Sequence, residues 1–113
     1  MVPQISPRGM AAWLADARTR GEPVVLDVRE PWERQTASVR PDGFTLVTVP
    51  MGEIPQRLAE LDPATPVACL CHHGARSQRV AAFLAGNGFA DVSNIAGGID
   101  AWSQEVDPAV PRY

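Results

Sequence analysis

The sequence has few of the features that mark secreted, membrane-bound or nucleic-acid-binding proteins. Its only cysteines, Cys69 and Cys71, are two positions apart, which is too close for an ordinary structural disulfide. No apolar run approaches the roughly 20 residues that span a bilayer, and the opening MVPQISPRGM does not read as a signal peptide. The net charge of −3 provides no general attraction to nucleic acids. We therefore expect a cytoplasmic protein that has neither a membrane nor a nucleic acid as a partner.

The residues that are present suit one ordinary globular domain. Of the 113 residues, 45% are hydrophobic and 20% are charged, as in typical soluble domains. Two domains of half this length would bury little core. All ten basic residues are arginine and none is lysine, which we attribute to genome composition. We find no repeat, linker or low-complexity tract, so residues 1–113 are predicted to form a single domain.

Five short segments are predicted to be strands, and those at 23–28 and 66–71 are the short apolar runs that are typical of buried strands. The five segments are residues 4–5, 23–28, 45–50, 66–71 and 90–95. Segments with helical spacing of apolar residues lie between them. The first of these follows Ser6 and Pro7, which are favoured as a helix cap and first helical residue. Its inward face carries Met10, Trp13, Leu14 and Ala17.

Four further helices are expected from the same spacing. They are EPWERQ at 30–35, a segment after Pro50, a segment from near Ser77 to Asn87, and a short one after Gly97 and Gly98. Their inward faces should carry Ile54, Leu58, Leu61, Val80, Phe83, Leu84 and Trp102. Strands that alternate with helices predict an α/β fold whose mostly parallel sheet is covered on both faces.

Two polar clusters follow predicted strands, where parallel sheets usually bind ligands. One contains Asp27, Arg29, Glu30 and Glu33. The other is the loop that begins at Cys71, directly before a predicted helix. The first turn of a helix presents unpaired N–H groups with partial positive charge and attracts anions. Such a loop favours a thiolate, a nucleophile that needs no separate general base.

We therefore expect Cys71 to be the catalytic residue. Gly74 permits the backbone conformations that a tight loop of inward-facing amides requires. The anion-binding loop is predicted to consist of His72, His73, Gly74, Ala75, Arg76 and Ser77. Cys69 lies between alanine and leucine and is interpreted as a small buried residue.

Three kinds of site would use this loop. A metal site of Cys69, Cys71, His72 and His73 would crowd four ligands into five residues, unlike the usual zinc spacings, so no metal is expected. A cysteine phosphatase also holds a thiolate in an amide loop closed by arginine. Its signature has five residues between cysteine and arginine, whereas this sequence has four. The smaller loop suits a single sulfur atom better than a phosphate group.

The sequence resembles the rhodanese-like family along nearly its whole length. The matching segments are LDVREPWE at 26–33, CHHGARS at 71–77 and NIAGGIDAW at 94–102, in the family's order, and VPMGEI at 49–54 is similar to its middle segment. The resemblance implies a rhodanese fold with a five-stranded, mainly parallel sheet flanked by helices on both faces. The loop from Cys71 to Arg76 has the length seen in the family's sulfurtransferases, whose phosphatase relatives have one more residue.

The resemblance also implies a reaction that needs no cofactor. The Cys71 thiolate attacks the outer sulfur of a donor such as thiosulfate, sulfite leaves, and a persulfide forms on Cys71. A thiophilic acceptor (cyanide in vitro, a small thiol or a protein in the cell) then takes the sulfur in a ping-pong reaction. The alternative is a rhodanese-fold binding or regulatory module without turnover, although inactive modules usually lose the cysteine.

Residues around the loop have expected roles of their own. Arg76 would attract an anionic donor and brace the loop by bonding an acid such as Asp27 or Glu30. Asp27 is expected to support the loop by accepting its hydrogen bonds, while Arg29 either does the same or forms an ordinary ion pair. His72 and His73 would either add positive charge or occupy tolerant loop positions. Thiosulfate-using relatives often have arginine in the place of His72, so the donor stays open.

Three other segments bear on the shape of the site. Gly97 and Gly98 should let the backbone pass close beside the loop. The segment TASVRPDGF at 36–44 departs from the family's compact pattern and would alter the rim of the pocket. Trp32 is a candidate for an exposed position at the mouth of the site.

Overall fold

A computed structural model describes residues 2–113, and its central feature is a parallel sheet. The five strands are β1 (Gln4–Ile5), β2 (Val24–Asp27), β3 (Thr45–Thr48), β4 (Val67–Leu70) and β5 (Val92–Ile95). Their order across the sheet is β1-β5-β4-β2-β3, and each neighbouring pair runs parallel. The expected α/β class is therefore confirmed.

Helices and short 3₁₀ turns connect the strands. The helices are α1 (Met10–Ala17), α2 (Pro31–Thr36), α3 (Ala75–Ala85) and α4 (Gly98–Glu105), and the 3₁₀ turns are Pro7–Gly9, Met51–Glu53 and Leu58–Glu60. The Ser6 hydroxyl accepts a hydrogen bond of 3.2 Å from the Gly9 N–H, as expected of a cap. Within residues 2–113, no helix combines the length and the apolar character needed to cross a membrane.

Apolar side chains fill both faces of the sheet. Successive residues of a strand point to opposite faces, so Val25 and Leu26 enter different cores. One core lies under α3 and the 3₁₀ turns Met51–Glu53 and Leu58–Glu60, and it includes Leu26, Cys69, Cys71, Ile54, Val80 and Leu84. The other lies under α1 and α4 and includes Val25, Leu70, Met10, Leu14, Ile99 and Trp102. This arrangement confirms that helices cover both faces.

Two local predictions were wrong. The segment after Pro50 forms two 3₁₀ turns instead of one helix, because Pro55 lacks an N–H group and its ring clashes with the preceding turn of an α-helix. Phe83 was placed on the inner face of its helix, but 38% of its surface is exposed. Ala81 takes the inward position, beside Val80 and Leu84.

Candidate active site

Cys71 lies directly after β4, at the carboxyl end of the sheet, and its side chain points into the core under α3. Only 1% of the residue is exposed. Its Sγ accepts a hydrogen bond of 3.1 Å from the Gly74 N–H. Gly74 is the N-cap of α3, has the left-handed φ of +102°, and provides no side-chain cap. The sulfur therefore lies where the uncapped start of a helix directs its N–H groups.

The Ser77 hydroxyl lies between Cys71 and Asn94. Its Oγ is 3.2 Å from Cys71 Sγ and 2.5 Å from Asn94 Oδ1. The Asn94 amide donates to the carbonyls of Gly74 and the Gln4 side chain, so its oxygen faces Ser77. A hydroxyl has a single proton, so Ser77 can donate to only one of these two neighbours at a time. When Cys71 is a thiol, Ser77 accepts a hydrogen bond from it and donates to Asn94. When Cys71 is a thiolate, Ser77 can donate to the sulfur.

Asn94 is a residue of the site that the sequence reasoning missed. It lies in β5, is buried, and connects the two ends of the loop by accepting from Ser77 and donating to the Gly74 carbonyl at 3.2 Å. An asparagine inside a predicted strand was the available signal, since such a side chain needs hydrogen-bond partners when it is buried.

Arg76 closes the loop by binding Glu33. Its Nη1 and Nη2 donate to the two carboxylate oxygens of Glu33, each at 2.7 Å. The expected bond to an acid is present, but the acid is Glu33 and neither of the two examples named, Asp27 and Glu30. Glu33 lies in the first turn of α2 and is nearly fully buried, whereas Glu30 is exposed. The side chain of Glu33 also accepts a hydrogen bond of 2.8 Å from the Glu30 N–H. This bond orients the Glu33 carboxylate towards Arg76.

The ion pair with Arg76 keeps Glu33 charged in spite of its burial. The hydrogen bonds from Arg76 lower the pKa of Glu33 to about 2, against the opposing effect of desolvation. The same pairing raises the pKa of Arg76. The Arg76 side chain is 30% exposed, so the ion pair is open to solvent on the arginine side.

Asp27 and Arg29 form a separate, fully buried ion pair. Arg29 donates to Asp27 through Nε at 2.9 Å and through Nη2 at 2.7 Å. Burial works against the charge of Arg29, but its hydrogen bonds to Asp27 and Tyr113 outweigh that effect and raise its pKa. Within residues 2–113 the hydrogen bonds of the Asp27 carboxylate run to Arg29 and not to residues 71–77. The prediction that Asp27 supports the loop directly was wrong, because Arg29 occupies its carboxylate.

His72 is stacked between two other rings. Its centroid is 3.9 Å from that of His73 and 3.9 Å from that of Tyr113, with interplanar angles of 29° and 4°. Burial, with the neighbouring His73, lowers the pKa of His72, which favours its uncharged form. Its contribution to the site is therefore packing, not charge, while His73 is exposed.

His72, His73 and Asp100 bring three possible metal-binding atoms within 4.8 Å of one another. Arg112 already binds the Asp100 carboxylate at 2.9 Å, and Gln104 donates to it as well. The cluster in this arrangement fits a salt bridge better than a metal ion.

Helix α4 packs its first turn against the loop backbone. The N–H groups of Ile99 and Asp100 donate to the carbonyls of Cys71 and His72 at 2.8 and 3.1 Å. A Cβ on Gly98 would lie 2.4 Å from the Cys71 oxygen and 2.5 Å from the His72 oxygen. This close approach was predicted for the glycine pair, and the geometry confirms it.

The two cysteines have different surroundings. Cys69 is fully buried inside β4, as predicted, and both cysteines are free. Burial raises the pKa of Cys69 to about 12, with a smaller contribution from Cys71. Cys69 therefore stays a thiol at neutral pH, and Cys71 is the cysteine that contacts the loop.

Comparison with known proteins identifies relatives along most of the chain. The family model of the rhodanese-like domain matches residues 10–105. A sulfurtransferase of Allochromatium vinosum is 34% identical over 110 residues, which cover 97% of this chain and 96% of that protein. The thiosulfate sulfurtransferase GlpE of Pseudomonas syringae is 35% identical over 79 residues, which cover 70% of this chain and 71% of GlpE.

Other relatives are longer than this chain. The rhodanese-like/PpiC domain-containing protein 12, chloroplastic, of Arabidopsis thaliana is 40% identical over 96 residues, or 81% of this chain, but the match spans only 31% of its own length.

Among solved structures, a rhodanese-related protein from Thermoplasma volcanium has a TM-score of 0.75 at 27% identity, covering 98% of this chain and 99% of that chain. The chain therefore belongs to the rhodanese-like domain family.

Proposed function

We propose that the protein is a sulfurtransferase that carries sulfur as a persulfide on Cys71. The observation that carries the proposal is the contact of Cys71 Sγ with the Gly74 N–H and the Ser77 hydroxyl, in a loop that Arg76 closes. Two relatives that match along most of their length are named as sulfurtransferases, which supports the same activity.

The first half of the reaction transfers sulfur from the donor to Cys71. The Cys71 thiolate attacks the outer sulfur of thiosulfate, a new S–S bond forms, and the S–S bond of thiosulfate breaks. The electron pair of that bond leaves with sulfite. Arg76 supports this step because its positive charge attracts the dianionic donor and stabilises the charge on the departing sulfite.

The second half returns Cys71 to its thiolate form. A thiophilic acceptor attacks the terminal sulfur of the persulfide, and the electron pair of the S–S bond returns to Cys71 Sγ. The free N–H groups at the start of α3 and the Ser77 hydroxyl are suitable donors for the persulfide anion between the two steps. The chemistry needs no metal or cofactor, and a reducing compartment such as the cytoplasm suits it, because the Cys71 thiol must stay reduced.

Access to the sulfur requires a movement of the loop surroundings. Only 1% of Cys71 is exposed, so a donor reaches Sγ only when neighbouring side chains move apart. The exposed side chains closest in sequence are His73 and Ala75. The acceptor is proposed to approach from the same side, because both half-reactions use the same sulfur.

The test measures sulfur carried by the reduced protein. Protein is incubated with thiosulfate, the excess is removed, and thiocyanate is measured after cyanide is added. We expect one thiocyanate per protein from the wild type and from Cys69→Ala, and none from Cys71→Ser. Absence of thiocyanate from folded wild-type protein, with thiosulfate and then with an organic persulfide as the donor, would contradict sulfur transfer and leave a binding module as the function.

A further inference from the structure

Tyr113 is a residue at the site that the proposed reaction does not use. Its ring lies flat against His72, 3.9 Å between centroids, and Trp32 packs edge-on against it at 6.1 Å. Trp32, which was expected near the mouth of the site, is 61% exposed. The C-terminal segment therefore lies against the loop that begins at Cys71.

The hydroxyl of Tyr113 joins the two ion pairs of the site. It accepts a hydrogen bond of 3.0 Å from Arg29 Nη1 and donates one of 2.9 Å to Glu33 Oε1. Arg29 is the partner of Asp27, and Glu33 is the partner of Arg76. One hydroxyl thus connects a fully buried ion pair to the ion pair that contains the arginine of the loop.

The direction of these bonds is fixed by the charges. Arg29 has only donors, so the phenol oxygen must accept from it, and the phenol proton is left for the carboxylate. Burial and the nearby Glu33 raise the pKa of Tyr113, although Arg29 has the opposite effect. The hydroxyl therefore stays protonated and satisfies part of the negative charge of Glu33.

We propose that Tyr113 is a positioning residue for Arg76, acting through Glu33 to hold the guanidinium where its charge faces an anionic sulfur donor at Cys71. The inference rests on the proposed function, which assigns Arg76 to the donor. Without the hydroxyl, Glu33 loses a hydrogen-bond donor and Arg29 loses an acceptor beside the same carboxylate. Glu33 then places more uncompensated negative charge next to Arg76, and the potential at Cys71 becomes less positive.

The substitution Tyr113→Phe separates the stacking contact of the ring from the hydrogen bonds of the hydroxyl. Tyr113→Phe keeps the ring that stacks on His72 and removes only the hydroxyl that bridges Arg29 and Glu33. Ser103→Ala is the matched control, because the Ser103 hydroxyl anchors the same C-terminal segment by donating to the Val110 carbonyl at 2.6 Å. It is buried like the bridge but contacts neither ion pair.

The experiment compares an anionic with a neutral reagent at Cys71. The alkylation rates of Cys71 by iodoacetate and iodoacetamide are measured separately, with peptide mapping to exclude Cys69. The ratio of the two rates reports the electrostatic potential at the sulfur and does not depend on turnover. We expect Tyr113→Phe to lower the iodoacetate to iodoacetamide ratio about threefold, because the charges that change lie in a partly buried site.

The outcomes are distinct. A lower ratio in Tyr113→Phe, an unchanged ratio in Ser103→Ala, and no further fall when Tyr113→Phe is added to Glu33→Gln would support the proposal. An unchanged ratio in Tyr113→Phe would overturn it, as would an equal fall in Ser103→Ala or a further fall in the Glu33→Gln background. If wild-type protein forms no thiocyanate, sulfur transfer fails, yet the alkylation ratios still decide whether Tyr113 controls the charge of Arg76.

Discussion

The guanidinium of Arg76 and the carboxylate of Glu33 meet through two hydrogen bonds of 2.7 Å, although 43 positions separate them in the sequence. This pair connects α2 to the start of α3 and holds the last residue of the loop from Cys71 to Arg76. Glu33 is 3% exposed, so its charge depends on this partner.

Removal of the Glu33 charge should destabilise the protein. Glu33→Gln leaves a buried amide facing Arg76, and we expect the free energy of unfolding to fall by about 2–3 kcal/mol, because Arg76 keeps part of its hydration. Urea denaturation measures the change. Glu30→Gln, an exposed neighbour, should cost less than about 0.5 kcal/mol, and an equal loss in both variants would contradict the role of the pair.

Stability should fall in acid through the same pair. The pKa of Glu33 is lowered from 4.5 to about 2, so its contribution is complete above 4.5 and is lost as the pH falls towards 2. The difference in unfolding free energy between wild type and Glu33→Gln should therefore be constant above about pH 4.5 and shrink below it. Urea denaturation at a series of pH values tests this, and a difference that stays constant down to pH 2 would rule out the assignment.

The packing of α4 against the loop should tolerate no side chain at position 98. Gly98→Ala places a Cβ 2.4 Å from the Cys71 oxygen, and we expect a loss of about 3 kcal/mol or more, because backbone must move. Sulfur transfer should fall with it. Gly88→Ala is the control: its φ of +91° is also positive, but a Cβ there meets nothing within 4 Å, so it should cost only about 1–2 kcal/mol. Similar losses in the two variants would show that the contact with the loop is unimportant.

Cys69 should be dispensable for chemistry. Its pKa of about 12 keeps it protonated, and it lies inside β4. We expect Cys69→Ala to keep the full yield of thiocyanate and to lose about 1–2 kcal/mol of stability through the small cavity that it leaves. Faster oxidation of Cys71 in this variant, measured with hydrogen peroxide, would instead assign a protective role to Cys69.

Local features of the sequence were sufficient to predict the sheet and the position of the cysteine. The segments around Val25, Ala68 and Ser93 were predicted to be strands, and they form β2, β4 and β5. The glycine pair before α4 was also interpreted correctly, because a close backbone approach is a local requirement. The prediction of a helix after Pro50 was wrong because it relied on the helical spacing of Ile54, Leu58 and Leu61. It neglected Pro55, a residue that interrupts helices.

Contacts between segments that are distant in the chain could not be predicted from the sequence. Asp27 and Glu30 were the expected partners of Arg76, since they lie near a strand end, but only the orientation of α2 decides that Glu33 reaches the loop. Tyr113 is 80 positions from Glu33, and nothing in its neighbours signals the contact. Arg29 and Asp27 form an ion pair of their own, which was one of the two interpretations that the sequence allowed.

Helix α3 starts at Gly74 without a side-chain cap, although serine or aspartate at such a position commonly adds about 1 kcal/mol of stability. A negative charge at this end takes the place of the missing cap in the folded protein and loses those N–H partners on unfolding. In the proposed cycle Cys71 alternates between a thiolate and a persulfide anion, so its sulfur caps the same end of α3 in both forms. The atom that does the chemistry therefore also helps to hold the start of the helix.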